Sequence, residues 1–345
     1  MKIVYSEDHR RHFPQGELYG GELVTPFERP SRMEYILREL KQRKMTDIVG
    51  PQPLNMRKVR RIHGPGFLRF LETAWDEWQK AGFRGEVMPT SIPNRSLRQR
   101  EPRHIDGRVG YYIHSLETCI TAGTWEAAQS SAAVALTAQA LMSAGAVPHA
   151  FALCRPPGHH AHDDLYGGYC FLNNAAIAAQ AFRDGGAARV AILDVDFHHG
   201  NGTQDIFYGR DDVLFCSLHG EPQNAYPYFL GYRDETGAGR GEGFNHNYPL
   251  PPGTGFDRWG KALDNACRKI SGYGADVVVV SLGVDTYKDD PISFFKLTSE
   301  DFRRMGQRIA RLKKPTLFVM EGGYAVAAIG VNTVNVLEGF SQEAV

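Results

Sequence analysis

An almost unbroken apolar run, Val190-Ala191-Ile192-Leu193, leads straight into Asp194-Val195-Asp196-Phe197-His198-His199-Gly200-Asn201-Gly202. A run without polar alternation needs cover on both faces, which confines it to a strand of a sheet sandwiched between helices. Two further runs have the same form. Val277-Val278-Val279-Val280-Ser281-Leu282 continues into Gly283-Val284-Asp285, and Thr316-Leu317-Phe318-Val319-Met320 continues into Glu321-Gly322-Gly323-Tyr324. Strands are also expected over residues 2–5, 151–154 and 213–217, with helical patterns over 173–183, 257–270 and 299–311 among them. This alternation predicts a single α/β domain over residues 1–345, with a mainly parallel sheet, helices on both faces and chemistry at the strand carboxyl ends.

The residues at those ends are of metal-binding and proton-transfer types. Side chains alternate along a strand, so Asp194, Asp196 and His198 are expected on one side. With Asp285, residues Asp196 and His198 make a two-carboxylate, one-imidazole set with a position left open, which suits catalytic Zn2+. Fe2+, Co2+ and Mn2+ accept the same donors. The tandem pair in Arg155-Pro156-Pro157-Gly158-His159-His160 lacks the spacing of a helical metal pair. His159 and His160 are therefore assigned to proton transfer. Gly322 and Gly323 permit a tight turn that would bring the Tyr324 phenol to a developing oxyanion.

These residues resemble the histone deacetylase and acetylpolyamine amidohydrolase family, within the arginase/deacetylase fold. The resemblance is carried by residues 155–174, 191–207, 213–219, 280–298 and 321–324, in the family's order. Glu17-Leu18-Tyr19-Gly20-Gly21-Glu22 and Gly110-Tyr111-Tyr112 look like the bacterial acetylpolyamine amidohydrolases in particular. The resemblance implies that Asp196, His198 and Asp285 bind zinc, that His160 is the general base and acid, that His159 assists electrostatically and that Tyr324 polarises the amide carbonyl. It further implies that Asp194 orients His159 and, with Ser217 and the main-chain carbonyls of Asp196, His198 and Leu218, holds a structural potassium ion. Asn201 stands where class I histone deacetylases usually have aspartate; removing that charge from behind His160 should lower the imidazole pKa relative to those enzymes.

Substrate residues follow from the same resemblance. Glu17, Asp106 and Glu117 would meet a cationic amine, with Asp106 one methylene shorter than the glutamate usual in the subfamily. Tyr169 and Tyr226 look like the aromatic walls of a substrate tunnel, and Ile292 would line it. The Arg/Pro-rich segment 82–108, with Arg84, Arg95, Arg98, Arg100, Arg103 and Arg108, reads by composition as a solvated loop. By resemblance it is an insertion that builds a homodimer and narrows the entrance. The implied activity is zinc-dependent removal of acetyl groups from N-acetylated polyamines or diamines such as acetylputrescine and acetylcadaverine. Deacetylation of acetyl-lysine in proteins and non-catalytic binding of an acetyl-amine or a metal are the alternatives.

Charge and cysteine usage narrow the setting. Lys and Arg number 39, as do Asp and Glu, so the formal charge is zero and draws the chain toward neither nucleic acid nor anionic lipid. Five scattered cysteines form no evident disulfide framework, and no apolar stretch has the length of a membrane span. A reducing cytoplasm is the expected location. The remaining histidines, His162 among them, receive no catalytic role.

Overall fold

The computed structural model describes residues 1–94 and 98–344. Its strands are β1 (Lys2–Val4), β2 (Glu17–Tyr19), β3 (Glu22–Val24), β4 (Ile48–Val49), β5 (His149–Ala152), β6 (Val190–Asp194), β7 (Val213–Gly220), β8 (Asn245–Leu250), β9 (Val277–Leu282) and β10 (Thr316–Met320). The helices are α1 (Ser31–Gln42), α2 (Met56–Val59), α3 (Pro65–Lys80), α4 (Ile105–Tyr112), α5 (Thr124–Ser143), α6 (Asn174–Asp184), α7 (Asn201–Phe207), α8 (Phe256–Tyr273), α9 (Ser299–Ala310) and α10 (Val326–Glu343). Eight strands form one sheet in the order β4-β1-β5-β10-β9-β6-β7-β8, parallel at every pairing, while β2 and β3 make a separate hairpin. The result is the single α/β domain that the apolar runs predict.

The three runs occupy the centre of this sheet, and their neighbours on each face explain their composition. Val190 and Ile192 of β6, Val277 and Val279 of β9, and Leu317 and Val319 of β10 pack into one core, beneath α5 and α6. The intervening Ala191, Leu193, Val278, Val280, Phe318 and Met320 pack into the other, beneath α1, α8, α9 and α10. A polar residue at any of these positions would lose roughly 1.5–3 kcal/mol of burial on either face, so none alternates. The register aligns Val190 with Val277 and Leu193 with Val280. The carboxyl ends of β6 and β9 therefore emerge side by side, and β10 emerges next to β9.

Two expectations need correction. β6 ends at Asp194, so strand alternation does not carry Asp196 and His198 to one side. The segment instead coils, because Asp194 Oδ1 accepts from the Asp196 amide at 3.1 Å and Asp196 Oδ1 accepts from the His198 amide at 2.9 Å. Each aspartate thus replaces a ladder bond with an Asx turn to the residue two positions on. β5 spans His149–Ala152 and stops short of residues 153–154, although the Leu153 amide still donates to the Val4 carbonyl at 3.0 Å ahead of the proline-rich loop. Of segment 82–108, Val87 is buried and bridges to Ile120, the last residues begin α4, and most others are exposed. Arg108 is drawn inward to Glu77 and Glu101. Arg95 lies outside the described residues.

Candidate metal centre and active site

Asp196, His198 and Asp285 converge where β6 and β9 end. One ligand-type atom from each lies within 4.8 Å of the others, and all three residues are buried. His198 Nδ1 faces both carboxylates, 3.3 Å from Asp196 Oδ1 and 3.0 Å from Asp285 Oδ2. Ligand bonds of about 2.0–2.2 Å at a tetrahedral angle separate adjacent donor atoms by roughly 3.3 Å, so the cluster fits a small divalent cation. The loops that present it are tied together. Asp285 Oδ1 accepts from the Phe197 amide at 2.7 Å, and Asp196 Oδ2 accepts from the Gly322 amide at 2.8 Å. A Cβ at Gly283 would lie 2.0 Å from Asp196 Oδ2, and one at Gly322 would lie 2.6 Å from Asp196 Oδ2 and 2.7 Å from Asp285 Oδ2. These glycines are required for close approach of backbone to the donors.

The crowding of these side chains is electrostatically costly. Burial, followed by the Asp196 carboxylate, pushes the Asp285 carboxyl up. Burial opposes charge on Asp196 as well, but His159 and His198 hold its pKa below the usual range. Two buried carboxylates with one imidazole are a donor set that a divalent cation would neutralise.

The tandem histidines lie beside this cluster with rings 4.0 Å apart. Glu321 fixes their loop from behind, its Oε2 accepting from the amides of Gly158 at 2.6 Å and His159 at 3.1 Å. His159 Nδ1 meets Asp194 Oδ2 at 2.9 Å, and His160 Nδ1 meets Asn201 Oδ1 at 2.6 Å. Their acidities diverge. Burial disfavours charge on His159, but Asp194 and Asp196 outweigh it and raise its pKa to about 10. For His160, burial and then the neighbouring His159 and His198 push the pKa well below 6.5, while the Asn201 bond acts in the opposite direction. An adjacent charged and neutral imidazole is the pattern from which acid and base roles are read.

Above the pair opens a cavity of about 470 Å3, whose walls include Glu117, Tyr169, Tyr226, Ile292, Phe294 and Tyr324. The Tyr169 hydroxyl donates to Glu17 at 2.9 Å, and the Tyr226 hydroxyl donates to Ser115 at 3.0 Å. Tyr324 packs edge-on against Tyr169, with ring centroids 5.7 Å apart. Tyr169 adopts φ +65° and Gly168 φ +58°. A Cβ on Gly168 would lie 2.3 Å from the His160 ring, so the turn that presents Tyr169 requires glycine there.

The structure thus brings together His159, His160, Asp194, Asp196, His198, Asn201, Asp285 and Tyr324, with Glu117, Tyr169, Tyr226 and Ile292 around the cavity above them. Glu17 is 2 % exposed and sits behind Tyr169, its other oxygen accepting from the Phe27 amide. Asp106 does not line the cavity; it stands in the first turn of α4, where its carboxylate accepts from the Thr90 amide at 3.0 Å. Ser217 is the β7 register partner of Asp194, and its hydroxyl pairs with His219 Nδ1 at 2.8 Å. Leu218 follows in the same strand.

Four residues without an assigned role in the sequence reading support the site. Glu321 is one. Asp290 accepts from the amides of Tyr324 at 2.7 Å, Ala325 at 3.2 Å and Ile292 at 3.2 Å. Arg32, fully buried, donates to the carbonyls of Gly323 at 2.8 Å and Glu321 at 2.5 Å and pairs with Glu28 at 2.8 Å. His162 contacts the Asn201 amide at 2.9 Å. A carboxylate or guanidinium that serves the backbone has no spacing signature; only the four-residue interval between Glu28 and Arg32 hints at a pair.

The chain's similarities to known proteins agree with this geometry. The sequence model of the histone deacetylase domain matches residues 26–340. Acetylpolyamine amidohydrolase 1 of Pseudomonas aeruginosa is 58% identical over 99% of each chain, and the acetylpolyamine amidohydrolase of Mycoplana ramosa is 55% identical over 98% of this chain and 99% of its own. The crystal structure of acetylpolyamine aminohydrolase from Burkholderia pseudomallei superposes with a TM-score of 0.94 at 37% identity, covering 99% of both chains.

Proposed function

The chain belongs to the histone deacetylase domain family, and from that membership we propose that it is a zinc-dependent amidohydrolase that removes the acetyl group from N-acetylated polyamines or diamines, releasing acetate and the free amine. The observation that carries this reading is the buried Asp196, His198 and Asp285 cluster lying beside two histidines of opposite acidity, at the base of an aromatic-walled cavity. The two long identities with acetylpolyamine amidohydrolases support the choice of substrate class.

Zinc held by Asp196, His198 and Asp285 would polarise the acetyl carbonyl and acidify a water molecule. His160, neutral and with Nδ1 held by Asn201, takes a proton from the attacking water on its other ring nitrogen. It then gives that proton to the departing amine nitrogen as the C–N bond breaks. Tyr324 donates its hydroxyl to the carbonyl oxygen as negative charge develops there. His159 keeps its proton, supported by Asp194, and adds positive charge beside the Asp196, His198 and Asp285 cluster. Tyr169 and Tyr226 flank the methylene chain, while Glu117 at the wall supplies negative charge for a distal ammonium and Glu17, behind Tyr169, adds to it once it ionises near pH 7 and above. Asp106 would contribute only if segment 82–108 meets the mouth of a second subunit, which is the homodimer this reading includes.

By the family resemblance we assign a structural potassium ion to Asp194, Ser217 and the main-chain carbonyls of Asp196, His198 and Leu218, oxygen donors of the kind a hard cation takes; in support, Asp194 and Ser217 are register partners on adjacent strands. No helix among the described residues is long and apolar enough to cross a membrane. The five cysteines are all unpaired thiols, in keeping with a cytoplasmic setting.

Acetate release from acetylputrescine, acetylcadaverine and an acetyl-lysine peptide tests the reading, using zinc-loaded protein with a chelated control. Chelator-sensitive turnover of the diamines is expected. Comparable turnover of the peptide would move the chain to the protein deacetylases, and silence on all three would leave a binding protein.

A further inference from the structure

We propose that His162 is a positioning residue that sets the tautomer of His160 through the side-chain amide of Asn201. The proposal rests on the reading of His160 as the proton carrier. Three contacts form a line: Asp205 Oδ2 to His162 Nδ1 at 3.1 Å, His162 Nε2 to Asn201 Nδ2 at 2.9 Å, and Asn201 Oδ1 to His160 Nδ1 at 2.6 Å. Its polarity follows from the far end. A carboxylate has no hydrogen to give, so a neutral His162 ring donates from Nδ1 and keeps a lone pair on Nε2. That lone pair accepts from the Asn201 NH2, which turns the amide oxygen to His160. His160 must then donate from Nδ1, and its Nε2 is left with the lone pair that a base requires.

The line matters because an asparagine has two nearly isosteric faces, one donating and one accepting. Rotated by half a turn, Asn201 would present NH2 to His160 Nδ1, move the hydrogen to Nε2 and abolish the base. An aspartate at this position would accept from either face and need no instruction. His160, Asn201 and His162 are 4 %, 3 % and 8 % exposed, so solvent water is a poor substitute for the missing donor or acceptor. His162 is itself held in place: its backbone amide donates to the Leu165 carbonyl at 2.9 Å, and its ring lies 5.2 Å from that of His114.

The test uses the metal-loaded full chain, labelled with 15N-histidine, with acetylputrescine as the activity probe. Long-range 1H–15N spectra distinguish the two tautomers of His160 whether or not the enzyme turns over. The wild type should carry the hydrogen on Nδ1. In His162→Phe the two nitrogens should show a mixed pattern, and kcat should fall about tenfold with KM little changed. His162→Gln, whose amide offers a donor to Asp205 and an acceptor to Asn201, should restore both. In an Asn201→Asp background, His162→Phe should change kcat by less than about twofold. An unchanged His160 pattern in His162→Phe, or an equal loss of kcat in both backgrounds, overturns the proposal. If His162→Phe does not fold, Asp205→Ala at the exposed end frees the His162 tautomer, and an unchanged His160 pattern there is equally fatal. A fully active His160→Ala would instead remove the base reading on which the proposal stands, a failure the nitrogen spectra tell apart from failure of the relay.

Discussion

Tyr324 and the metal-type carboxylates face one small space, which Gly322 leaves open. A Cβ on Gly322 would lie 3.1 Å from the Tyr324 hydroxyl and 2.6 and 2.7 Å from the carboxylates of Asp196 and Asp285. Tyr324 is not among the clustered ligands, so Tyr324→Phe should retain metal while kcat drops about 10²–10³-fold, as for loss of an oxyanion donor. Metal content and acetate release check this together; full activity would remove the phenol from the mechanism. Glu17 offers a second residue-level expectation. Burial raises its carboxyl pKa from 4.5 to about 7. A raised folded-state value means that protonation favours the fold, so this contribution to stability is complete below pH 4.5 and is lost as pH rises through 7. The melting temperature of the wild type relative to Glu17→Gln should therefore decline between those limits. A difference that stays constant with pH would mean that Glu17 does not titrate there.

At the scale of elements, legibility followed the kind of interaction. β6, β9 and β10 were readable because burial on two faces leaves a continuous apolar trace. β8, Asn245-His246-Asn247-Tyr248-Pro249-Leu250, left no such trace, since among the described residues it is an edge strand beside β7 and its asparagines donate to Gln204 and to the loop carbonyls of Tyr232 and Glu235. The ligand types at the strand ends were readable, but not the turns that gather them, because an Asx bond looks like any aspartate in sequence. Asp290 was opaque for the same reason, although it ties the turn bearing Ile292 to the start of α10, just after Tyr324. Asp290→Ala would strand the buried Tyr324 amide and two part-buried ones, at a cost of about 1–3 kcal/mol. A shift of Tyr324 by about 1 Å would lower kcat by roughly 100-fold. Thermal melting and steady-state kinetics measure the two effects separately; an unchanged kcat would mean that α10 and the β10 turn hold Tyr324 without Asp290.

At the scale of the whole molecule, segment 82–108 is where a contact between subunits is expected. The chain carries no net charge, yet Arg98, Arg100 and Arg103 fall within one six-residue exposed or part-exposed stretch of this segment, and Ile92, in the same segment, is 54 % exposed. Its base is anchored. Val87 bridges to Ile120, and Gly110 packs so closely on Ser91 that a Cβ would meet the Ser91 carbonyl oxygen at 1.8 Å. A firmly rooted loop that presents arginines and an apolar side chain outward is the arrangement expected of a subunit contact, for which a stable pair needs about 800 Å2 from each partner. Replacing residues 92–100 with a short Gly/Ser link spares both anchors and leaves the cavity walls untouched. We expect that variant to bind metal as the wild type does but to run as a monomer in size-exclusion chromatography with light scattering. Loss of the partner's cover should also widen the entrance, so that turnover of an acetyl-lysine peptide rises relative to acetylputrescine. A dimer of unchanged mass would assign the contact to another face and leave segment 82–108 a solvated loop.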